Sequence, residues 1–213
     1  YCKGLYEYDQ YIKNLYTYFD IKGFSPRVNN TLFRLNIDKI YVPLKFKFDF
    51  SNNANDNLPK DKRTSYDIIT ALTNFDKIVI LGDPGSGKST TLKYLAYTIC
   101  AHRSGNELLQ TYIPIYLKAT EFARYLFDTG RSLSEFIIDI NTKYGLLFSK
   151  SLENNKLIVL IDGLDEINIT NQRHNVVEKI NSFTAQYPEI KIIVSSRIVG
   201  YKETRLSGYF FHF

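Results

Sequence analysis

Gly82-Asp83-Pro84-Gly85-Ser86-Gly87-Lys88-Ser89 completes the pattern G-x-x-x-x-G-K-[ST]. Residues of these types can hold a polyphosphate. Glycines let the backbone curl until several N–H groups face one anion. A helix starting at the motif adds the positive end of its dipole. Lys88 can neutralise β- and γ-phosphate charge, and the Ser89 hydroxyl can ligate Mg²⁺. The setting is the one such a motif requires, because the apolar run 78–81 precedes it and the helically spaced Leu92, Leu95 and Ile99 follow.

Two further constellations stand at the ends of apolar runs. Asp162 closes the run 157–161, with Gly163, Asp165 and Glu166 just beyond it. A carboxylate at the carboxyl end of a core strand meets the ligand crevice of a parallel sheet. Asp162 would hold Mg²⁺ through water, and Asp165 or Glu166 would orient or deprotonate an attacking water. A lone Asp there could equally cap a helix; the two added acids favour chemistry. Ser195-Ser196-Arg197 closes the run 190–194 and would bring Arg197 beside the γ-phosphate.

The elements that must position these residues follow from hydrophobic spacing. Leu5, Tyr8, Ile12, Leu15 and Phe19 recur at intervals of three and four and predict a helix over residues 5–19. An extended piece is expected around Tyr41-Val42-Pro43-Leu44, and residues 51–63, rich in Asn, Asp and Lys, read as a surface loop. Thr64 and Asp67 suggest a capping box opening a helix through Ile68 and Leu72. The continuously apolar runs 78–81, 112–117, 157–161 and 190–194 alternate with helical spacing. One such helix is opened by the box Ser132-x-x-Glu135, and another carries Val176, Ile180 and Phe183. That alternation predicts an α/β fold with a parallel sheet covered on both faces. Pro114 lacks a ladder donor, which places its strand at or near the sheet edge. The aromatic run 209–213 reads as a fifth strand. The chain divides into an N-terminal helical and extended segment (1–63) and a core (64–213).

Composition excludes several classes. With 44% hydrophobic and 23% charged residues the chain is neither mainly disordered nor collagen-like. Cys2 and Cys100 are its two cysteines, which suggests free thiols in a reducing, cytoplasmic setting. No apolar run reaches the length of about 18 residues needed to cross a bilayer. The net charge of +5 comes from scattered Lys and Arg, so nucleic acid is not indicated. The chain starts at Tyr1 and contains no Met, so it reads as a fragment of a longer polypeptide.

Together the motifs resemble the NACHT-type NTPases of the signal-transduction (STAND) class. Asp162-Gly163-Leu164-Asp165-Glu166 matches the family's metal-binding strand end at every place. Leu81 to Thr90 reads like its phosphate loop, and Ser195-Ser196-Arg197 with Tyr201 like its sensor strand. The resemblance implies a three-layer P-loop NTPase with a five-stranded sheet in the order 5-1-4-3-2. It implies nucleotide contacts from Gly82, Asp83, Pro84, Gly85, Ser86, Gly87, Lys88, Ser89 and Thr90. It further implies Mg²⁺ held by Ser89 and Asp162, and catalysis by Asp165, Glu166 and Arg197. The segment Tyr41-Val42-Pro43-Leu44 would lie near the adenine. Family members are switches in which ADP holds a closed monomer and ATP permits self-association. Many bacterial members serve antiphage defence, with sensor and effector domains that lie outside this fragment. The alternative, an AAA+-like or helicase-type ATPase, usually places Glu directly after the metal-binding Asp, where Gly163 stands here. No Asn-Lys-x-Asp guanine motif and no Leu-Ser-Gly-Gly-Gln transporter signature occurs.

Overall fold

In the computed structural model, which describes residues 2–20, 34–47, 65–101, 111–206 and 210–213, the apolar runs form neighbouring parallel strands. Helix α1 (Cys2–Tyr16) is followed by β1 (Tyr18–Asp20), which pairs antiparallel with β2 (Arg34–Asn36). After α2 (Ile37–Ile40), β3 (Phe46–Lys47) pairs antiparallel with β4 (Ser65–Tyr66). Then come α3 (Ile68–Asn74), β5 (Lys77–Leu81), α4 (Lys88–Ala101), β6 (Ile113–Lys118), α5 (Ala119–Thr129), α6 (Leu133–Asp139) and α7 (Gly145–Glu153). Strand β7 (Leu157–Asp162) leads into a 3₁₀ turn (Leu164–Glu166), and α8 (Thr170–Gln186), β8 (Lys191–Ser196), α9 (Ile198–Glu203) and β9 (Phe211–His212) complete the chain.

Among the described residues the main sheet has five strands in the order β6-β7-β8-β5-β9, every pair parallel. Numbered within the sheet, this is the order 5-1-4-3-2, and helices cover both sides. Every residue of β7 and β8 is buried. That explains runs without alternation, because both faces of these strands meet apolar layers. The register sets Val79 beside Val194 and Leu160 beside Ile193, so β5, β7 and β8 end at one edge.

Pro114 lies in the outer strand β6. The Ile113 N–H points inward to the Lys156 carbonyl, whereas the Pro114 carbonyl accepts from the Tyr8 hydroxyl of α1 at 2.7 Å. Successive residues of a strand point opposite ways, so the donor that proline lacks falls on the side away from β7.

The N-terminal helix stops earlier than its spacing predicts. Tyr8 and Ile12 are buried, but Leu15 is half exposed, and Phe19 belongs to β1. Tyr16, four residues after Ile12, takes the inward position and packs edge-on against Tyr116. The cap of α3 is also shifted. Asp67 is itself the N-cap and accepts from the Thr70 N–H at 2.9 Å, while Thr64 lies outside the described residues, as does the loop 51–63. A short carboxylate is a preferred N-cap and needs no partner upstream. The box at Ser132 and Glu135 forms reciprocally, as expected.

Two lysines occupy the amino ends of the central strands. Lys77 donates to the carbonyls of Pro188 and Ile190, and Lys191 donates to the Leu72 carbonyl and pairs with Asp76 at 2.5 Å. Burial lowers the Lys77 ammonium to about 8; Asp76 opposes this and Lys191 adds to it. An unfolded lysine titrates near 10.4. Between those values the unfolded chain binds more protons, so this group makes stability rise with pH. Wild-type protein should therefore gain thermal stability relative to Lys77→Met as pH rises through 8 toward 10. Parallel melting-temperature curves for the two proteins would contradict the assignment.

Candidate nucleotide site

Strand β5 delivers the phosphate loop and α4 begins within it. The loop is tied to the sheet by the Gly82 N–H, which donates to the Ser196 carbonyl at 3.3 Å, and it turns on Ser86 N–H to Asp83 carbonyl at 3.2 Å. Gly85 and Gly87 take φ of 77° and 87°, a region that costs side-chain-bearing residues free energy. Helix geometry leaves the first N–H groups of α4 without intrahelical acceptors, aimed into the loop's concave side. Lys88 curls back over the loop and donates to the carbonyls of Gly82 (2.7 Å) and Asp83 (2.9 Å) and to Ser86 Oγ (3.2 Å). Burial lowers its pKa, Asp165 opposes that shift, and Arg197 adds to it.

Asp162, at the tip of β7, is 9% exposed and accepts from hydroxyls on three other elements. Its Oδ1 takes Ser195 Oγ of β8 at 2.6 Å and Ser89 Oγ of α4 at 3.0 Å; its Oδ2 takes the Tyr116 hydroxyl of β6 at 2.7 Å. Ser195 Oγ in turn accepts from the Gly163 N–H at 2.9 Å. Burial and the Asp162 charge push the Tyr116 phenol well above its ordinary pKa, so it remains a proton donor.

Beyond Asp162 the chain enters the 3₁₀ turn through Gly163, whose φ is 74°. A Cβ there would lie 2.8 Å from the Glu166 carboxyl carbon, so the missing side chain lets the exposed Glu166 fold back over the strand end. Asp165 points to β8. Its two oxygens receive the Arg197 backbone N–H at 2.9 Å and Arg197 Nε at 3.0 Å. Arg173, buried beneath this turn, donates to the Ile167 carbonyl at 2.8 Å and the Gly200 carbonyl at 3.2 Å, clamping the turn to α9.

The structure thus brings the separate motifs to one cavity of about 230 Å³, lined by Pro84, Gly85, Ser86, Gly87, Lys88, Ser89, Thr90, Asp162, Gly163, Asp165, Glu166, Ser195 and Arg197. Gly82 and Asp83 are not among its lining residues; their carbonyls accept from Lys88. A larger cavity, about 440 Å³, opens at the other end of β5 beside Lys77 and Phe211 and contains none of the motif residues. Ser89 Oγ and Asp162 Oδ1, 3.0 Å apart, form a hard-oxygen pair suited to Mg²⁺, which keeps several waters and takes few protein ligands.

Other contacts were not read from the spacing. Tyr116, whose register partner is Leu160, reaches diagonally to Asp162; its signal is a hydroxyl-bearing ring near the end of an otherwise apolar run. Tyr41 stacks on Tyr94 with ring centres 3.7 Å apart, and its hydroxyl lies 3.4 Å from Thr91 Oγ1. Leu44 lies beside Gly87. The segment 41–44 therefore flanks the phosphate loop and the first turns of α4. Tyr201, its phenol pushed up to about 12 by burial, pairs with His212 Nε2 at 2.8 Å and joins α9 to β9.

Among solved structures, the chain is similar to AMPPCP-bound DnaA from Aquifex aeolicus, at 22% identity over 64% of this chain and 38% of that one, with a TM-score of 0.41. It is also similar to C. elegans PCH-2, at 18% identity over 61% of this chain and 33% of that one, with a TM-score of 0.35. The chain thus spans well under half the length of either. No curated protein sequence matches it. The profile of the NACHT domain family matches residues 76–209, a span that takes in β5 to α9. That match takes in more than half the chain, and the protein belongs to the NACHT family of nucleotide-binding NTPase domains.

Proposed function

We propose that this domain is a nucleotide switch that binds Mg-ATP, hydrolyses it slowly, and controls self-association of a longer signalling protein. The observation that carries this reading is the meeting of Lys88, Ser89, Asp162, Glu166 and Arg197 around one cavity at the carboxyl edge of the sheet. The loop N–H groups and the α4 N-terminus bind the phosphates. Lys88 would exchange neutral carbonyl acceptors for anionic phosphate oxygens, so that both partners carry charge. Ser89 and Asp162 would hold Mg²⁺. Such an ion would supply positive charge to offset that of the phosphates. The ring of Tyr41 and the side chain of Leu44 offer an apolar border on the α4 side, where we place the adenine.

The three carboxylates divide the work. Asp162 faces Ser89. Asp165 spends both oxygens on Arg197 and so fixes its position. Glu166, exposed and folded over Gly163, is left to orient or deprotonate the attacking water. Gly163 stands where an AAA+-like enzyme would carry Glu, and its φ of 74° suits glycine, which favours the NACHT reading over that alternative. Arg197 is anchored at Nε, so its terminal nitrogens extend further out, toward a γ-phosphate. In the whole protein we place sensing and output, including a role in defence, on segments beyond this domain; that part of the reading rests on the family resemblance.

Calorimetric titration tests the binding site. Lys88→Ala removes an ion-assisted contact worth about 1.5–3 kcal/mol and should weaken ATP binding roughly ten- to a hundredfold. Unchanged affinity would refute the phosphate site.

The division of roles predicts that Glu166→Gln keeps ATP affinity within about twofold and slows single-turnover hydrolysis by roughly 10²–10⁴. Asp165→Asn should loosen Arg197 and weaken ATP binding as well as hydrolysis. If Glu166→Gln hydrolyses normally while Asp165→Asn alone is inactive, the two roles are reversed.

A further inference from the structure

The outer strand β6 contributes to the site from outside the phosphate loop and the carboxyl ends of β7 and β8. Tyr116 is half-buried, and its hydroxyl donates to Asp162 Oδ2 at 2.7 Å. Ser195 and Ser89 both donate to the other oxygen, Oδ1. The carboxylate is thereby polarised by geometry: one oxygen faces the phosphate loop, and the other is held from the β6 side. A carboxylate torsion is broad and nearly two-fold. Without a partner on Oδ2 the group is held at one oxygen only, and its rotation about the bond to Cβ is less restrained.

The ring of Tyr116 is itself held. Tyr16, in the last turn of α1, packs edge-on against it at 5.7 Å and 69°, and Lys93 Nζ of α4 stands 5.6 Å from its centre. The register pairs Tyr116 with Leu160 and Lys118 with Asp162. Tyr116 therefore lies two residues short of the position opposite the acid, a distance that only a long side chain spans. A shorter hydroxyl residue at that place would not reach.

We infer that Tyr116 is a positioning residue that orients Asp162 for the divalent cation, linking the N-terminal helix to the metal side of the site through Tyr16. This inference rests on Ser89 and Asp162 being the metal-facing pair. Outer-shell partners of metal ligands typically change metal affinity ten- to a hundredfold when lost.

The test compares binding of a fluorescent, non-hydrolysable ATP analogue in EDTA and across a MgCl₂ titration. It uses wild type, Tyr116→Phe and Asp162→Asn. Tyr116→Phe removes one oxygen and keeps the ring, so packing on Tyr16 is retained; melting in EDTA checks the fold. Tyr116→Phe should need about tenfold more Mg²⁺ for half-maximal enhancement of binding, with affinity in EDTA unchanged. A wild-type Mg²⁺ requirement, or an equal loss with and without Mg²⁺, overturns the inference. Asp162→Asn separates the causes. If it shifts the Mg²⁺ requirement and Tyr116→Phe does not, the inference alone fails. If neither shifts it, the metal-facing reading of Asp162 fails and takes the inference with it.

Discussion

A carboxylate buried at the end of a strand must be matched by donors or it destabilises the fold. At Asp162 the donors are hydroxyls from α4, β6 and β8, so one charge fixes the relative positions of four elements. The parallel register of β6, β7 and β8 follows from the same requirement, because a slip of one residue would turn each side chain to the other face. The apolar runs behind Asp162 bring the carboxylate to that edge. They bury both faces of β7 and β8 and leave polar groups where the strands end.

The second structural unit is the turn after Asp162. Gly163 permits the backbone reversal, Glu166 folds back over it, Asp165 reaches across to Arg197, and Arg173 ties the turn to α9. Tyr201 continues the chain of contacts to His212 in β9. A ligand can shift a conformational equilibrium only through different contacts in the two states. Arg197 is placed for such a difference, since it begins α9, whose contacts run both to the acidic turn and to the edge strand. In the proposed switch, γ-phosphate binding by Arg197 is transmitted through α9 rather than through the sheet, whose buried strands are held by full ladders.

Much of this was legible in the sequence because the signals are local. The phosphate loop is contiguous, Asp162 closes an uninterrupted apolar run, and Ser195-Ser196-Arg197 closes another. The missing donor of Pro114 pointed to a place at or near the edge, and β6 is the outer strand. What escaped depends on partners far away in the chain. Tyr116 is one aromatic among many until the register sets it diagonal to Asp162. The helix α1 ends at Tyr16, before its hydrophobic spacing does, and Phe19 instead pairs with Leu35 in the antiparallel ribbon β1–β2. Asp165 and Glu166 are adjacent acids in the sequence, and only the 3₁₀ turn sends one to Arg197 and the other to the cavity's open side. Helices α5, α7 and α9 were not anticipated. In α5 the spacing was there to be read, since Ala119, Phe122, Ala123 and Leu126 share one face; in α7 the exposed Leu146 interrupts the polar face, and α9 is too short to show a period.

The central claim is that this site distinguishes ATP from ADP and that Arg197 makes the distinction. The most direct measurement is the affinity of a non-hydrolysable ATP analogue and of ADP, each with Mg²⁺, for wild type and Arg197→Ala. Loss of one charge-assisted pair, about 1.5–3 kcal/mol, should fall on the ATP analogue and spare ADP, lowering the affinity ratio about tenfold or more. Equal losses for both nucleotides, or none for either, would contradict the account.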